Sequence, residues 1–122
     1  MTLVFVYGTL RRGGENHGLL EHVRCVSVTR TQPAFTLYDL GAYPAMVAGG
    51  VTAVEGETYE VDAATLARLD QLEGCPGYYH RIETSLEDGR VAQTYTMQPG
   101  QVLGHAIIPE GRWPLRSANA TS

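Results

Sequence analysis

The chain opens on an unbroken apolar run, Leu3 to Tyr7, made of β-branched and aromatic residues with one leucine. A run this short and this apolar predicts a strand covered on both faces. Gly8 ends it, and Thr9 and Leu10 lead into a loop carrying Arg11, Arg12, Gly13 and Gly14. Asn16 is placed to cap a short helix reaching about His22, with Leu19, Leu20 and Val23 as its apolar contacts. Beyond Cys25 the pattern turns to period two. Val26 and Val28 alternate with polar residues as far as Thr31. Phe35 to Leu40 follows Pro33 and stops at Gly41. Met46 and Val47 form a short apolar piece, and Val51 to Val61 reads as a further strand or pair with Tyr59 and Val61 on one face. Gly56 inside that run predicts a bulge or a close backbone approach. Its acids, Glu55, Glu57 and Glu60, are expected in solvent, with Glu57 the one candidate for reaching a site.

A helical period follows between Asp62 and Gly74. Asp62 can accept a backbone N–H of the first turn, and Gly74 tolerates the left-handed conformation just past the last one. Pro76 prevents a restart. Leu66 and Leu69 mark the apolar stripe, and Glu73, four residues past Leu69, projects close to the direction of Leu66. Packing would prefer a leucine there. Burial and the helix C-terminus would both raise that carboxyl's pKa, which suits a general base near neutral pH. A helix-end glutamate fraying into water is the plain alternative, and the helix alone leaves both open. Further on, Tyr79 to Leu86 and Val91 to Met97 flank Asp88-Gly89, a hairpin signal. Gln101 to Ile108 predicts an edge strand stopped by Pro109. Trp113 is a candidate to fold back, and the last residues are expected to be loose.

Composition narrows the function classes. The chain has 122 residues, enough for one domain with a modest core. Nine Lys and Arg against thirteen Asp and Glu give a net charge of −4. That offers no electrostatic footprint for nucleic acid. No apolar run approaches the length of a membrane span, and the N-terminus lacks the features of a secretion signal. The two cysteines, Cys25 and Cys75, are therefore expected to be reduced thiols of a cytoplasmic protein. Cys75, two residues past Glu73, is a candidate nucleophile if a cation such as His17 or His80 lies beside it. The four histidines show no metal-ligand spacing, and no nucleophile elbow occurs. The Tyr7-Gly8-Thr9-Leu10 turn can converge its N–H groups into an anion-binding nest. It is neither a nucleotide P-loop nor a dinucleotide fingerprint.

Three blocks taken together resemble the γ-glutamylcyclotransferase-like (AIG2-like) family, and within it most of all the γ-glutamylamine cyclotransferases. The first runs from Val4 to Gly13, with Asn16-His17 after it. The second is Val54 to Tyr59 running through Val61-Asp62. The third is Leu69-Asp70, Leu72-Glu73, Cys75-Pro76, Tyr79 and Arg81. The resemblance implies an α+β fold, a small mixed β-barrel with flanking helices, over residues 1–115, followed by a flexible tail at 116–122. It implies that Tyr7, Gly8, Thr9 and Leu10 form the substrate-binding loop and that Glu73 is the catalytic acid/base. Tyr79, with Tyr78 beside it, would close one wall of the pocket. The implied substrate is a small γ-glutamyl compound, cyclised to 5-oxoproline without metal or cofactor. The chain departs from its relatives over residues 31–50 and at its C-terminus, the parts expected to meet the leaving group. A non-catalytic module holding a small carboxylate or γ-glutamyl metabolite in the same pocket is the alternative.

Overall fold

The computed structural model describes residues 1–114. The tail expected at 116–122 lies outside the described residues. In chain order the elements are β1 (Thr2–Val6), a 3-10 turn (His17–Leu20), β2 (Cys25–Arg30), β3 (Phe35–Asp39), β4 (Pro44–Ala48), β5 (Glu55–Val61), α1 (Ala63–Leu72), β6 (His80–Ser85), β7 (Val91–Thr96), a second 3-10 turn (Pro99–Gln101) and β8 (Ala106–Ile107). The strands form one mixed sheet in the order β2-β5-β1-β7-β4-β3-β8, with β6 also paired to β7. The sheet curls into a half-barrel with α1 packed on it.

β1 sits in the middle, and its alternating side chains supply both faces. Val4 and Val6 enter one apolar cluster with Tyr59, Val61 and Leu69 of α1. Phe5 and Tyr7 enter the other with Leu37, Met46 and Trp113. Both faces of this strand are therefore covered, as its apolar run predicts. α1 begins where Asp62 accepts the Thr65 N–H at 2.8 Å. It ends at Glu73, with Gly74 at φ +62° just beyond. The Asp88-Gly89 hairpin joins β6 to β7 in antiparallel register.

Three expectations need correction, and of the two readings of Gly56 one holds. The helix proposed from Asn16 to His22 is a single 3-10 turn, and Asn16 makes no cap; its amide is drawn instead to the Thr9 hydroxyl. The edge strand proposed over Gln101–Ile108 shrinks to Ala106–Ile107, because Pro99 to Gln101 form a capped turn first. Gly56 marks a close approach and not a bulge. A Cβ there would lie 2.3 Å from the Val6 carbonyl oxygen, and the sheet irregularity falls in β2 between Cys25 and Ser27. Glu57 is buried, not solvated, for a reason that belongs to the site.

The feature that positions the site is a fork along β7. One edge of β7 is used by β6 throughout. The other edge is shared: Val4 of β1 lies opposite Gln93, and Met46 of β4 lies opposite Thr96, both in parallel. Where β1 departs and β4 arrives, the ladder is interrupted and the sheet opens.

Candidate active site

A cavity of about 330 Å³ lies at this fork. It is near the lower end of the volumes of about 300–1,000 Å³ usual for small-molecule sites. Tyr7 spans the fork. Its hydroxyl donates to the Tyr95 carbonyl of β7 at 2.6 Å and accepts the Met46 N–H of β4 at 3.0 Å. One phenol thereby satisfies the two backbone groups that a continuous ladder would have paired. Gly8 follows against Pro44, so closely that a Cβ would stand 2.7 Å from the proline Cδ.

The loop from Gly8 to Leu10 forms one wall, and its carbonyls are each tied down on the far side. The Gly8 carbonyl accepts from the Arg11 N–H at 3.1 Å and from Arg11 Nε at 3.2 Å. The Thr9 carbonyl accepts the Asn16 N–H at 2.9 Å. The Leu10 carbonyl is 2.9 Å from His17 Nδ1, which must carry the proton to make that bond. In a planar trans peptide the N–H points opposite to the C=O. Anchoring the Gly8 and Thr9 carbonyls therefore turns the Thr9 and Leu10 N–H groups the other way. Among the described residues, the N–H groups of Gly8, Thr9 and Leu10 donate to no protein acceptor. They form an amide-lined surface with no counter-charge of its own.

Glu57 works behind this loop. Its carboxylate accepts the Arg12 N–H at 2.9 Å and the Tyr59 hydroxyl at 2.8 Å. These donors account for its burial. It is not part of the cavity lining. Arg11 is buried as well, bonded through its guanidinium to the Trp113 carbonyl, so Trp113 does fold back onto the domain. Burial lowers the Arg11 pKa.

Glu73 faces the loop across the cavity, brought there by the last turn of α1. Desolvation raises its carboxyl from the ordinary value to about 7. Three phenols surround it, and each has its proton engaged elsewhere. Tyr7 donates to Tyr95, Tyr79 donates to the Pro44 carbonyl at 2.7 Å, and Tyr95 donates to Asp70 at 2.7 Å. Burial raises all three phenol pKa values, so none ionises near neutrality. Among the described residues no hydrogen-bond donor reaches the Glu73 carboxylate, and no cationic side chain lines the cavity. An acid buried without a partner binds its proton more tightly and is free to exchange it with whatever enters.

The residues singled out in the sequence thus meet in one place. Tyr7, Gly8, Thr9 and Leu10 line one side, and Glu73, Tyr78 and Tyr79 the other. Cys75 does not line it; its side chain packs against the larger apolar cluster, and His17 is turned to Leu10 instead. Among the described residues, no group of His, Cys, Asp and Glu is arranged to hold a metal ion. No helix is long and apolar enough to cross a membrane. Sequence reasoning missed Asn16, Tyr43 and Tyr95 as lining residues. Tyr95 had a signal, its place in the Val91 to Met97 run. Tyr43 had none, because the segment after Gly41 carries no period.

Comparison with known proteins adds the family. Residues 4–115 match the model for "Gamma-glutamyl cyclotransferase, AIG2-like". A Vibrio cholerae protein named "Putative gamma-glutamylcyclotransferase" is 46% identical over 111 residues, covering 91% of this chain and 94% of its own. Human gamma-glutamylaminecyclotransferase is 39% identical over 93 residues, covering 66% of this chain and 59% of its own. The crystal structure of an AIG2-like protein from Mus musculus superposes with a TM-score of 0.80 at 28% identity, covering 93% of this chain and 88% of that one. With the forked sheet, the amide loop and the helix-end glutamate described above, these matches place the chain in the AIG2-like γ-glutamyl cyclotransferase family.

Proposed function

We propose that the protein converts an L-γ-glutamyl amine into 5-oxoproline and a free amine, with Glu73 as general acid/base. The observation that carries this reading is the Glu73 carboxyl, raised to about 7 and, among the described residues, without a protein donor, facing loop amides that donate to no acceptor there. The α-amino nitrogen of the substrate attacks its own γ-carbonyl carbon. A five-membered lactam closes, and the bond to the amine nitrogen breaks. The attacking nitrogen gives up two protons as it passes from ammonium to lactam N–H; Glu73 takes each in turn and hands it to the departing nitrogen, which leaves as an ammonium, so no net proton is gained or lost.

The tuning has a magnitude. An α-amino group titrates at about 7.7–8.0. A carboxylate near its reference value of about 4.3 would be more than three units short of it, costing about 5 kcal/mol to accept that proton. At about 7 the mismatch is close to one unit, about 1 kcal/mol. The loop amides of Gly8, Thr9 and Leu10 would hold the substrate's carboxylate, a role open to them because the cavity offers no cation. Holding that end folds the glutamyl chain so that nitrogen meets carbonyl.

The test is Glu73→Gln assayed for 5-oxoproline release. The expected loss is about 10²–10⁴-fold in kcat. The wild-type kcat/KM should rise along an acid limb centred near pH 7, as the carboxyl ionises. A variant turning over like the wild type, with that limb intact, would remove Glu73 from the chemistry. Saturable binding of γ-glutamyl compounds with no lactam from the wild type would leave only the binding-module reading.

A further inference from the structure

Tyr95 lines the cavity and is bonded toward both of its walls. Its carbonyl accepts the Tyr7 hydroxyl at 2.6 Å, at the strand end that leads into the amide loop. Its own hydroxyl reaches the other way, donating to Asp70 Oδ1 of α1 at 2.7 Å. The same carboxylate oxygen accepts from Arg81 Nε of β6 at 3.1 Å. Asp70 precedes Glu73 by one turn, so the two are neighbours on the surface of the helix.

The helix has little else to set its orientation. Of its side chains only Thr65 and Leu69 are buried, with Leu66 half-buried against the larger apolar cluster. Leu72, in the last turn, is exposed at the rim of the cavity, where Tyr43 and Tyr78 meet edge-on. Apolar burial holds a helix down but has no preferred direction. Hydrogen bonds do have one. Two of them converge on Asp70, and they fix the roll of the turn from which Glu73 projects. The brace is also neutral, since Arg81 offsets Asp70 and burial keeps the Tyr95 phenol protonated. It places the Glu73 carboxyl without adding net charge beside it.

We propose that Asp70 and Tyr95, with Arg81 behind them, are positioning residues: they set the reach from the Glu73 carboxyl to the loop amides and act through Glu73 alone. This rests on the cyclisation reading above, in which Glu73 carries the protons.

The experiment measures 5-oxoproline release from L-γ-glutamyl propylamide and L-γ-glutamylglycine, using whichever the wild type turns over faster. Urea unfolding of each variant gives its folded fraction, and rates are expressed per folded molecule. Tyr95→Phe keeps the carbonyl that holds Tyr7 and removes only the hydroxyl. Its kcat should fall by about 10-fold to 10²-fold, while KM moves by less than about two-fold because the loop is untouched. Asp70→Ala should match it, and the double variant should be no slower than either single one. Asp70→Asn keeps an acceptor for Tyr95 and Arg81, and should return to within about three-fold of the wild type. In a Glu73→Gln background, Tyr95→Phe should change kcat by less than about two-fold, because the group it positions is gone. Wild-type kcat in Tyr95→Phe, additive losses at the two sites, Asp70→Asn as slow as Asp70→Ala, or a full further loss on top of Glu73→Gln each overturns the positioning role while the cyclisation stands. Glu73→Gln turning over like the wild type, or no lactam from the wild type with either compound, overturns the cyclisation reading and the brace with it.

Discussion

The two walls of the cavity are built on opposite plans. The loop wall is wired: every carbonyl from Gly8 to Leu10 has a named donor behind it, and Glu57 holds the Arg12 N–H. The helix-end wall is bare at its working group: among the described residues no donor reaches the Glu73 carboxylate, and the rim hydroxyls of Tyr43 and Tyr78 bond to each other. Rigid amides suit a surface that must hold an anion in one place, since prepaid orientation costs nothing when the ligand arrives. A bare carboxyl suits a group that must trade a proton, since each protein hydrogen bond to its ionised form would lower its pKa. One wall is stable because it is satisfied, and the other is useful because it is not.

Breaking the bare wall gives the largest effect. Beyond its loss of turnover, Glu73→Gln should make the protein more stable at high pH. The carboxyl titrates at about 7 in the folded chain, above its ordinary 4.5. Between those values the folded state holds a proton that the unfolded chain has released, so stability falls as pH rises from about 4.5 to about 7. The shift corresponds to at most about 3 kcal/mol, and less for a residue that is partly exposed. Urea unfolding at pH 8 should show the variant ahead by about 2 kcal/mol, and at pH 4 the difference should vanish. An equal gap at both pH values would mean that Glu73 is not the strained group.

Breaking the wired wall should be nearly as costly. Tyr7→Phe leaves the Tyr95 carbonyl and the Met46 N–H unpaired where β1 and β4 part. Unfolding should show a loss of about 2–4 kcal/mol, from two buried groups at about 1–3 kcal/mol each. Gly8→Ala drives a methyl into the Pro44 ring. Pro44 opens β4 and cannot swing aside, so the loop must shift. A displacement near 1 Å costs about 10²-fold in turnover when positioning is the contribution at stake. Full activity in Gly8→Ala would show that the loop's place is not what matters.

The contrast also explains what was legible beforehand. Elements that bury apolar side chains left periodic marks. The Leu3–Tyr7 run, the Leu66–Leu69 stripe and the Asp88-Gly89 hairpin all form where the pattern puts them. Glu73 was visible because it broke such a pattern. The wiring was not visible, because it joins polar residues far apart in the chain. Glu57 reads as one acid among three in a strand, and only the return of the loop over β5 gives it the Arg12 N–H. Asn16 looks like a cap, yet its side-chain amide bonds the Thr9 hydroxyl and not the turn that follows it. Tyr43 lies in an irregular segment, and long-range pairing of β4 with β7 brings it to the mouth.

His17 offers a finer probe of the wiring. His17→Ala removes the donor to the Leu10 carbonyl, whose peptide carries the Arg11 N–H that holds the Gly8 carbonyl, so the loop should lose part of its anchoring. One hydrogen bond of about 1 kcal/mol corresponds to about a five-fold fall in kcat/KM. His17→Asn restores an N–H at a similar reach and should recover most of it. Equal losses in both variants would point to the tilted ring contact of His17 with Tyr59 and not to the bond.

The smallest effect should come from the rim, and its smallness is the point. Tyr78→Phe removes the hydroxyl bonded to Tyr43. That bond, with burial adding to it, raises the Tyr78 pKa to about 12. Yet Tyr78 is exposed, and the freed Tyr43 hydroxyl can turn to water. Under 1 kcal/mol of stability should be lost. Tyr7→Phe removes the same single atom and should cost several times more, because the groups it strands are buried backbone. Equal costs for the two substitutions, measured by urea unfolding under one buffer, would mean that the rim is as firmly wired as the loop. The proposed division between a fixed wall and an adaptable one would then fail.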